Sequence, residues 1–264
     1  MNFWQKLKKP IFVLAPMANV TDSAFRKVIA KYGKPDVIWT EFVSADGLIS
    51  PGRKVLLKDL EFTAKEKPIV AQLFTGHPEA MEKACKLVEK LGFQGIDINM
   101  GCPDRSVEKQ GGGANMIKNP KNALAVLQSA RRGAPNIPIS VKTRIGYNKN
   151  EINTWIRFLL EQKLPVLTVH LRTRKEMSLV PAHWEYMKEI IALRNEISPE
   201  TLIIGNGDVS SLSQAKQYIE KYGCDGIMIG RGIFGNPWFF SGREQSEISI
   251  KEKLDVLLEQ SKLF

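Results

Sequence analysis

Residues 202–232 read LIIGNGDVSSLSQAKQYIEKYGCDGIMIGRG, and this stretch decides the fold. Leu202–Gly207 is a short, nearly continuous apolar run, as a strand buried on both faces of a parallel sheet requires. A helix-like segment follows over Ser210–Tyr222, opened by serine and ended before Gly223. The run Gly226–Gly232 then repeats the strand signal. Each of the two runs leads into a glycine-rich turn, Gly205-Asn206-Gly207-Asp208 and Gly230-Arg231-Gly232.

Six earlier runs of the same kind precede this pair: Ile11–Met17, Val37–Phe42, Pro68–Phe74, Gly95–Met100, Ile139–Arg144 and Val166–Leu171. Helical patterns separate several of them. Pro78–Leu91 places apolar residues three to four apart with charges opposite. Asn119–Arg132 opens with Asn-Pro, a cap followed by a first-turn residue. Asn150–Gln162 and His183–Arg194 are also helical in pattern. Eight strand–helix alternations predict an α/β fold, a (β/α)8 TIM barrel, and 264 residues is close to the roughly 250 typical of it. An open doubly wound sheet would carry a phosphate-binding glycine motif after its first strand. Here that strand ends in Ala15-Pro16-Met17.

Composition is ordinary for a globular chain, with 43% hydrophobic and 25% charged residues. Lys and Arg exceed Asp and Glu by 38 to 28, a formal net charge of +10, which favours a polyanionic partner. Cys85, Cys102 and Cys224 form no CxxC pair and no metal-ligand spacing, so no metal is expected and a reducing compartment is. No signal-peptide pattern and no span-length apolar run is visible. The expectation is a cytoplasmic protein without membrane association.

In a barrel of this kind the chemistry lies where the strands end. The residues there form a polar set in apolar segments: Pro16 and Met17, Glu41, Gln72, Asn99 and Cys102, Lys142 and Arg144, His170, then Asn206, Gly207, Asp208, Gly230 and Arg231. The turns after the seventh and eighth strands are the usual phosphate site of the fold. Lys142 closes an apolar strand, where it can stabilise negative charge on a bound ring or pair with a carboxylate. Gln72 offers a donor and an acceptor to a heterocycle edge. His170 reads equally as a ring contact, a proton carrier or a satisfied histidine. Cys102 lies between Gly101 and Pro103 on the catalytic face, where sulfur serves better as a proton donor or nucleophile than as packing. Cys85 and Cys224 read as structural.

The stretch NMGCPDRSVEKQGGGANMI (99–117) resembles the signature of the tRNA-dihydrouridine synthase family. APMANVTDSAFR, VAQLF, SVKTRIG, TVHLRTR, GNGDV and GIMIGRGIFGNPW resemble that family in the same order, so the similarity covers residues 11–240. The resemblance implies FMN as cofactor, NADPH as reductant and tRNA as substrate. It implies Pro16 and Met17 bordering the flavin ring, Gln72, Lys142 and His170 on its polar edge, and Asn206, Gly207, Asp208, Gly230 and Arg231 around its phosphate. Cys102 would protonate carbon 5 of uracil while hydride reaches carbon 6. Asn99 and Arg144 would hold the uracil edge. A basic rim for RNA is expected from Arg105, Lys109, Lys118, Arg144, Lys149, Arg172, Arg174 and Lys175. A base reaching a site inside a barrel must leave its stack.

The expected domains are a catalytic barrel over 1–242 and a helical tail over 243–264, read as the start of a truncated tRNA-binding helical domain; the expected assembly is a monomer. The tail's apolar residues Ile250, Leu254, Leu257 and Leu258 would stay exposed unless they pack on the barrel or on a neighbour. Two other readings compete. One is a flavin barrel acting on a free pyrimidine, as dihydroorotate and dihydropyrimidine dehydrogenases do. The other is a non-catalytic phosphate- or RNA-binding barrel. The basic rim and the motif order weigh against the first, and Cys102 with Lys142 against the second.

Overall fold

The structure is a computed structural model that describes residues 2–264. Its eight strands are β1 (Ile11–Leu14), β2 (Val37–Ser44), β3 (Ile69–Phe74), β4 (Gly95–Met100), β5 (Ile139–Arg144), β6 (Val166–His170), β7 (Leu202–Asn206) and β8 (Gly226–Ile229). All pair in parallel in chain order, and β8 closes on β1 through Ile11↔Gly226 to Leu14↔Ile229. The strand ends differ from the apolar runs for local reasons. The ladder of β1 on β8 ends with Ala15 N–H to Ile229 O, because the next donor, Met17 N–H, turns to Thr21 Oγ1 at 2.9 Å; on the β2 side Pro16 has no N–H to offer. A register shift between Trp39 and Phe42 lets β2 run on to Ser44.

The barrel interior is layered. Trp4, from the turn Phe3–Lys6, meets Trp39 at a ring separation of 5.6 Å, beneath an apolar filling that includes Val13, Val70, Ile204 and Met228. Outside the strands, a larger apolar cluster packs the helices onto the barrel. The helix Pro78–Lys90 has proline in its first turn. Pro120–Gly133 is capped by Asn119, whose side chain accepts from Asn122 N–H at 3.2 Å. Leu212–Tyr222 is capped by Ser211 and stopped by Gly223 in the left-handed conformation.

Two expected helices change character. Residues 150–162 contain a π turn over Ile152–Ile156 before the helix Arg157–Glu161, and the buried Trp155 donates to Thr143 Oγ1 at 2.8 Å. Residues 183–194 open as a 3-10 turn, Trp184–Tyr186, and continue as the helix Met187–Ile197. Ser23–Tyr32, capped by Asp22, and Arg53–Asp59 are helices that the patterns above did not single out.

The tail forms the helix Ile250–Leu263 with a capping box between Ser249 and Glu252. It docks by Val256 against Val28 and Trp238, with Glu259 accepting from Lys31 at 2.8 Å and from Tyr32 at 2.6 Å. The face named from the sequence is not the docking face: Ile250, Leu254, Leu257 and Leu258 are all more than half exposed. Among the described residues no helix is long and apolar enough to cross a membrane.

Candidate functional site

Above the apolar filling, the C-terminal half of the barrel is polar. Asp97 on β4 accepts from Ser140 Oγ on β5 at 2.6 Å and from Gln72 Nε2 on β3 at 2.7 Å. Gln72 Oε1 accepts from Asn99 Nδ2 at 3.0 Å. Asn99 Oδ1 then accepts the backbone N–H of Gly101 at 3.1 Å and of Cys102 at 2.9 Å. A continuous set of bonds therefore runs from the interior to the loop after β4. Burial raises the Asp97 carboxyl to about 6, against the pull of its hydrogen bonds and of Lys142.

Nine of the ten residues expected to hold a cofactor, all but Gln72, line one cavity of about 560 Å³. That size suits a small-molecule site. Gln72 is fully buried, its amide committed to Asp97 and Asn99. The wider opening of about 1070 Å³ lies at the other end of the barrel, around Trp4, Pro138, Pro165 and Pro199, away from this polar set.

The Lys142 side chain reaches the cavity with no hydrogen bond or ion pair among the described residues. Burial first, and then Arg144, lower its ammonium to about 8, while Asp97 and Cys102 oppose the shift. His170 Nε2 lies 3.0 Å from Arg172 Nη1. A guanidinium only donates, so Nε2 accepts and Nδ1 carries the proton. Burial, followed by the charges of Arg144, Lys142, Arg172 and Arg231, holds His170 well below the usual histidine range. It is a neutral Nδ1–H donor.

At the other side of the cavity, Gly207 has φ of +137°, and a Cβ there would fall 2.6 Å from Ala182 Cβ, so glycine is required. Asp208 follows with φ of +52°. Burial pushes its carboxyl up, but bonds from Arg172 and Ala182 N–H and the charges of Arg172 and Arg231 bring it below the usual range. Arg231 Nη2 rests 3.3 Å from Asp208 Oδ1 and is otherwise exposed. The Asp208 carboxylate thus faces arginines, leaving backbone N–H groups and Arg231 for an anion.

The sequence puts Arg172 in the basic rim, and the structure corrects this. It is buried, and it bonds Val180 O at 2.6 Å, His170 and Asp208. Arg144 is likewise buried, with Nε on Gly101 O at 2.8 Å and Nη1 on Thr173 O at 3.0 Å and Met177 O at 2.7 Å. Both arginines pin the loop after β6 over the site. Arg174 pairs with Glu108. The exposed part of the rim is Arg105, Lys109, Lys118, Lys149 and Lys175, with Lys118 Nζ 4.4 Å from the Tyr147 ring centroid.

Cys102 sits in the loop just after β4, half-buried, outside the cavity wall but within reach of the Lys142 and Arg144 charges. Its carbonyl accepts from Ala114 N–H at 2.9 Å. Burial pushes its thiol up, so it is protonated at neutral pH; the Asp104 N–H and the two cations act against that shift. Cys85 and Cys224 are buried, Cys85 among the apolar residues under the helix Pro78–Lys90, and burial raises both thiols, Cys224 to about 12. Among the described residues no group of three or more His, Cys, Asp or Glu is arranged to hold a metal ion.

A family model described as "Dihydrouridine synthase (Dus)" matches residues 13–264. The "Probable tRNA-dihydrouridine synthase 2" of Bacillus subtilis (strain 168) is 46% identical over 258 residues, which is 97% of this chain and 78% of that protein. The "Probable tRNA-dihydrouridine synthase" of Staphylococcus aureus (strain MRSA252) is 43% identical, covering 100% of this chain and 80% of its own. Among solved structures, histamine dehydrogenase from Rhizobium sp. 4-9 superposes with a TM-score of 0.63 at 13% identity, over 96% of this chain and 48% of that one. A variant of NCR from Zymomonas mobilis gives 0.60 at 15% identity, over 92% and 90%. At such identities these structures speak for the fold, while the sequence matches speak for descent. The chain belongs to the dihydrouridine synthase family.

Proposed function

We propose that this chain reduces uridine in tRNA to dihydrouridine in the cytoplasm, with FMN in the barrel cavity, NADPH as the source of electrons and Cys102 as the proton donor. The observation that carries the reading is one cavity that joins an anion cradle to an unpaired ammonium, with a protonated thiol in the adjoining loop.

The residues present fit a flavin mononucleotide. Backbone N–H groups around Gly207 and Gly230, with Arg231, suit its phosphate. Pro16 and Met17 offer an apolar wall to the ring. Lys142 and the His170 Nδ1–H supply positive charge and a donor at the polar edge. Gln72 acts through Asn99 rather than at the cavity wall, and Asp208 acts by holding Arg231 and Arg172.

Bound flavin would supply the hydride that reaches carbon 6 of uracil, replenished from NADPH. Cys102 gives the proton to carbon 5, and Lys142 and Arg144 stabilise the thiolate left behind until solvent reprotonates it. The balance is NADPH, one proton and uridine giving NADP⁺ and dihydrouridine. The second hydrogen on Asn99 Nδ2 and the Arg144 Nη2 group remain for the uracil edge. The exposed basic side chains of the rim, from Arg105 round to Lys175, suit the phosphates flanking an extruded base.

The test is incubation with FMN, NADPH and tRNA lacking dihydrouridine, beside free uridine and dihydroorotate. Dihydrouridine in the tRNA, with little turnover of the free compounds, is expected. Turnover confined to a free pyrimidine would favour the competing reading.

A further inference from the structure

We propose that Asp97 is a positioning residue for uridine reduction: as a pure acceptor it fixes the direction of the amide chain that holds the Cys102 loop. The inference rests on the reading of Cys102 as proton donor.

The amides of Gln72 and Asn99 could each be turned over, exchanging donor and acceptor ends. An ionised carboxylate removes that freedom. With Asp97 accepting, Gln72 must present Nε2 to it and Oε1 to Asn99. Asn99 must then present Nδ2 to Gln72 and Oδ1 to the N–H groups of Gly101 and Cys102. Turning either amide would set acceptor against acceptor or donor against donor, in side chains that are 0% (Gln72, Asp97) and 6% (Asn99) exposed. Ser140 bonds the other carboxylate oxygen and is not a link in the chain.

The groups facing Asp97 are Gln72 from β3, Ser140 and Lys142 from β5, and the Trp39 indole from β2; Lys142 is the charged one among them. Burial raises the Asp97 carboxyl to about 6. Below that pH the protonated acid can donate as well as accept, and the direction of the chain is released.

The experiment compares FMN-reconstituted wild type, Asp97→Asn, Ser140→Ala and Gln72→Met from pH 5.5 to 8.5, a window set about the Asp97 value. Two steps are followed separately: flavin reduction by NADPH, and reoxidation of the reduced protein by tRNA lacking dihydrouridine. At pH 6.5 Asp97→Asn should keep its flavin and its reduction rate, and slow reoxidation by about 10- to 100-fold, the scale of a misplaced reacting group; at higher pH its reduction should decline earlier than that of wild type, because Asp97 helps to hold the Lys142 ammonium charged. The tRNA concentration for half-maximal rate should move much less than the rate, because the phosphate contacts of the rim are untouched and only the Asn99 contact to the uracil edge is disturbed. Wild-type reoxidation should fall as pH drops through about 6, and Asp97→Asn should lose that dependence. At pH 8.5 Ser140→Ala should reoxidise within about twofold of wild type, and its fall at low pH should begin at a higher pH, because the Ser140 bond helps to hold the Asp97 carboxyl down. Gln72→Met breaks the same chain one link further on and should repeat the selective loss, so it carries the test if Asp97→Asn does not fold. Equal reoxidation in Asp97→Asn, a parallel loss of both steps at pH 6.5, or an equal loss in Ser140→Ala at pH 8.5 would overturn the inference while the functional reading stands. A wild-type flavoprotein that tRNA does not reoxidise would overturn both.

Discussion

The two ends of the barrel are made from the same alternating strands and differ in where their charged groups point. At the N-terminal end, Trp4 and Trp39 close the interior and the buried charges Asp225 and Arg194 are paired. Asp225, just before β8, accepts from Lys9 at 2.5 Å, from Arg194 at 2.8 Å and from Ile203 N–H at 2.8 Å. At the C-terminal end Lys142 has no partner among the described residues, His170 faces four cations, and Cys102 lies protonated beside two. A half-buried ammonium without an acidic partner gains nothing from packing, so packing alone does not account for it. The contrast teaches that charge at one end is spent on holding strands and helices together, while at the other Lys142 and His170 face a cavity.

The largest effect that would sharpen the contrast is expected at Cys102. Cys102→Ala should keep flavin and NADPH oxidation while dihydrouridine formation falls about 10²- to 10⁴-fold, as for loss of a positioned acid. Undiminished uridine reduction in that variant would remove the thiol from the mechanism.

The opposite end should answer with stability. Trp4→Ala should cost about 3–5 kcal/mol in denaturant unfolding, because it empties a site that is 2% exposed. The turnover of the molecules that remain folded should be unchanged. A loss of turnover with intact stability would break the division between the ends.

Lys142 should show its state through pH. Its ammonium is charged below about 8, so flavin reduction should decline as pH rises through that value. Lys142→Met should have the low rate at every pH, lower by about 10-fold, one hydrogen-bonded charge's worth. A pH profile shared by wild type and Lys142→Met would place the titration elsewhere.

The smallest effect concerns His170. Its folded-state value lies below the unfolded one, so below about pH 6.5 the unfolded chain binds the extra proton and stability is lost as pH falls. The slope is at most about 1.4 kcal/mol per pH unit. His170→Asn should flatten it, measured by denaturant midpoints between pH 7 and pH 5; an unchanged slope would mean that His170 does not contribute.

Legibility in the sequence follows the same division. The barrel can be read because strands buried on both faces are continuous apolar runs, and the breaks at Pro16 and Gly223 are written in residue type. Lys142, His170 and Cys102 stand out as polar residues where packing wants none. Asp97 does not, because GIDINM reads as one strand and the partner Gln72 lies on a different one. Arg172 is misplaced for a related reason: nothing local shows that the loop after β6 folds back to bury it on Val180 O and Asp208. The tail's docking face is also hidden, since Val256 is chosen by Val28 and Trp238, more than two hundred and fewer than twenty residues away respectively.

The most direct measurement mixes NADPH-reduced, FMN-bound protein with tRNA lacking dihydrouridine, without oxygen, and follows flavin absorbance. Reoxidation with one dihydrouridine formed per flavin is the predicted result. A flavin that stays reduced with tRNA, yet is reoxidised by a free pyrimidine, would contradict the proposed function.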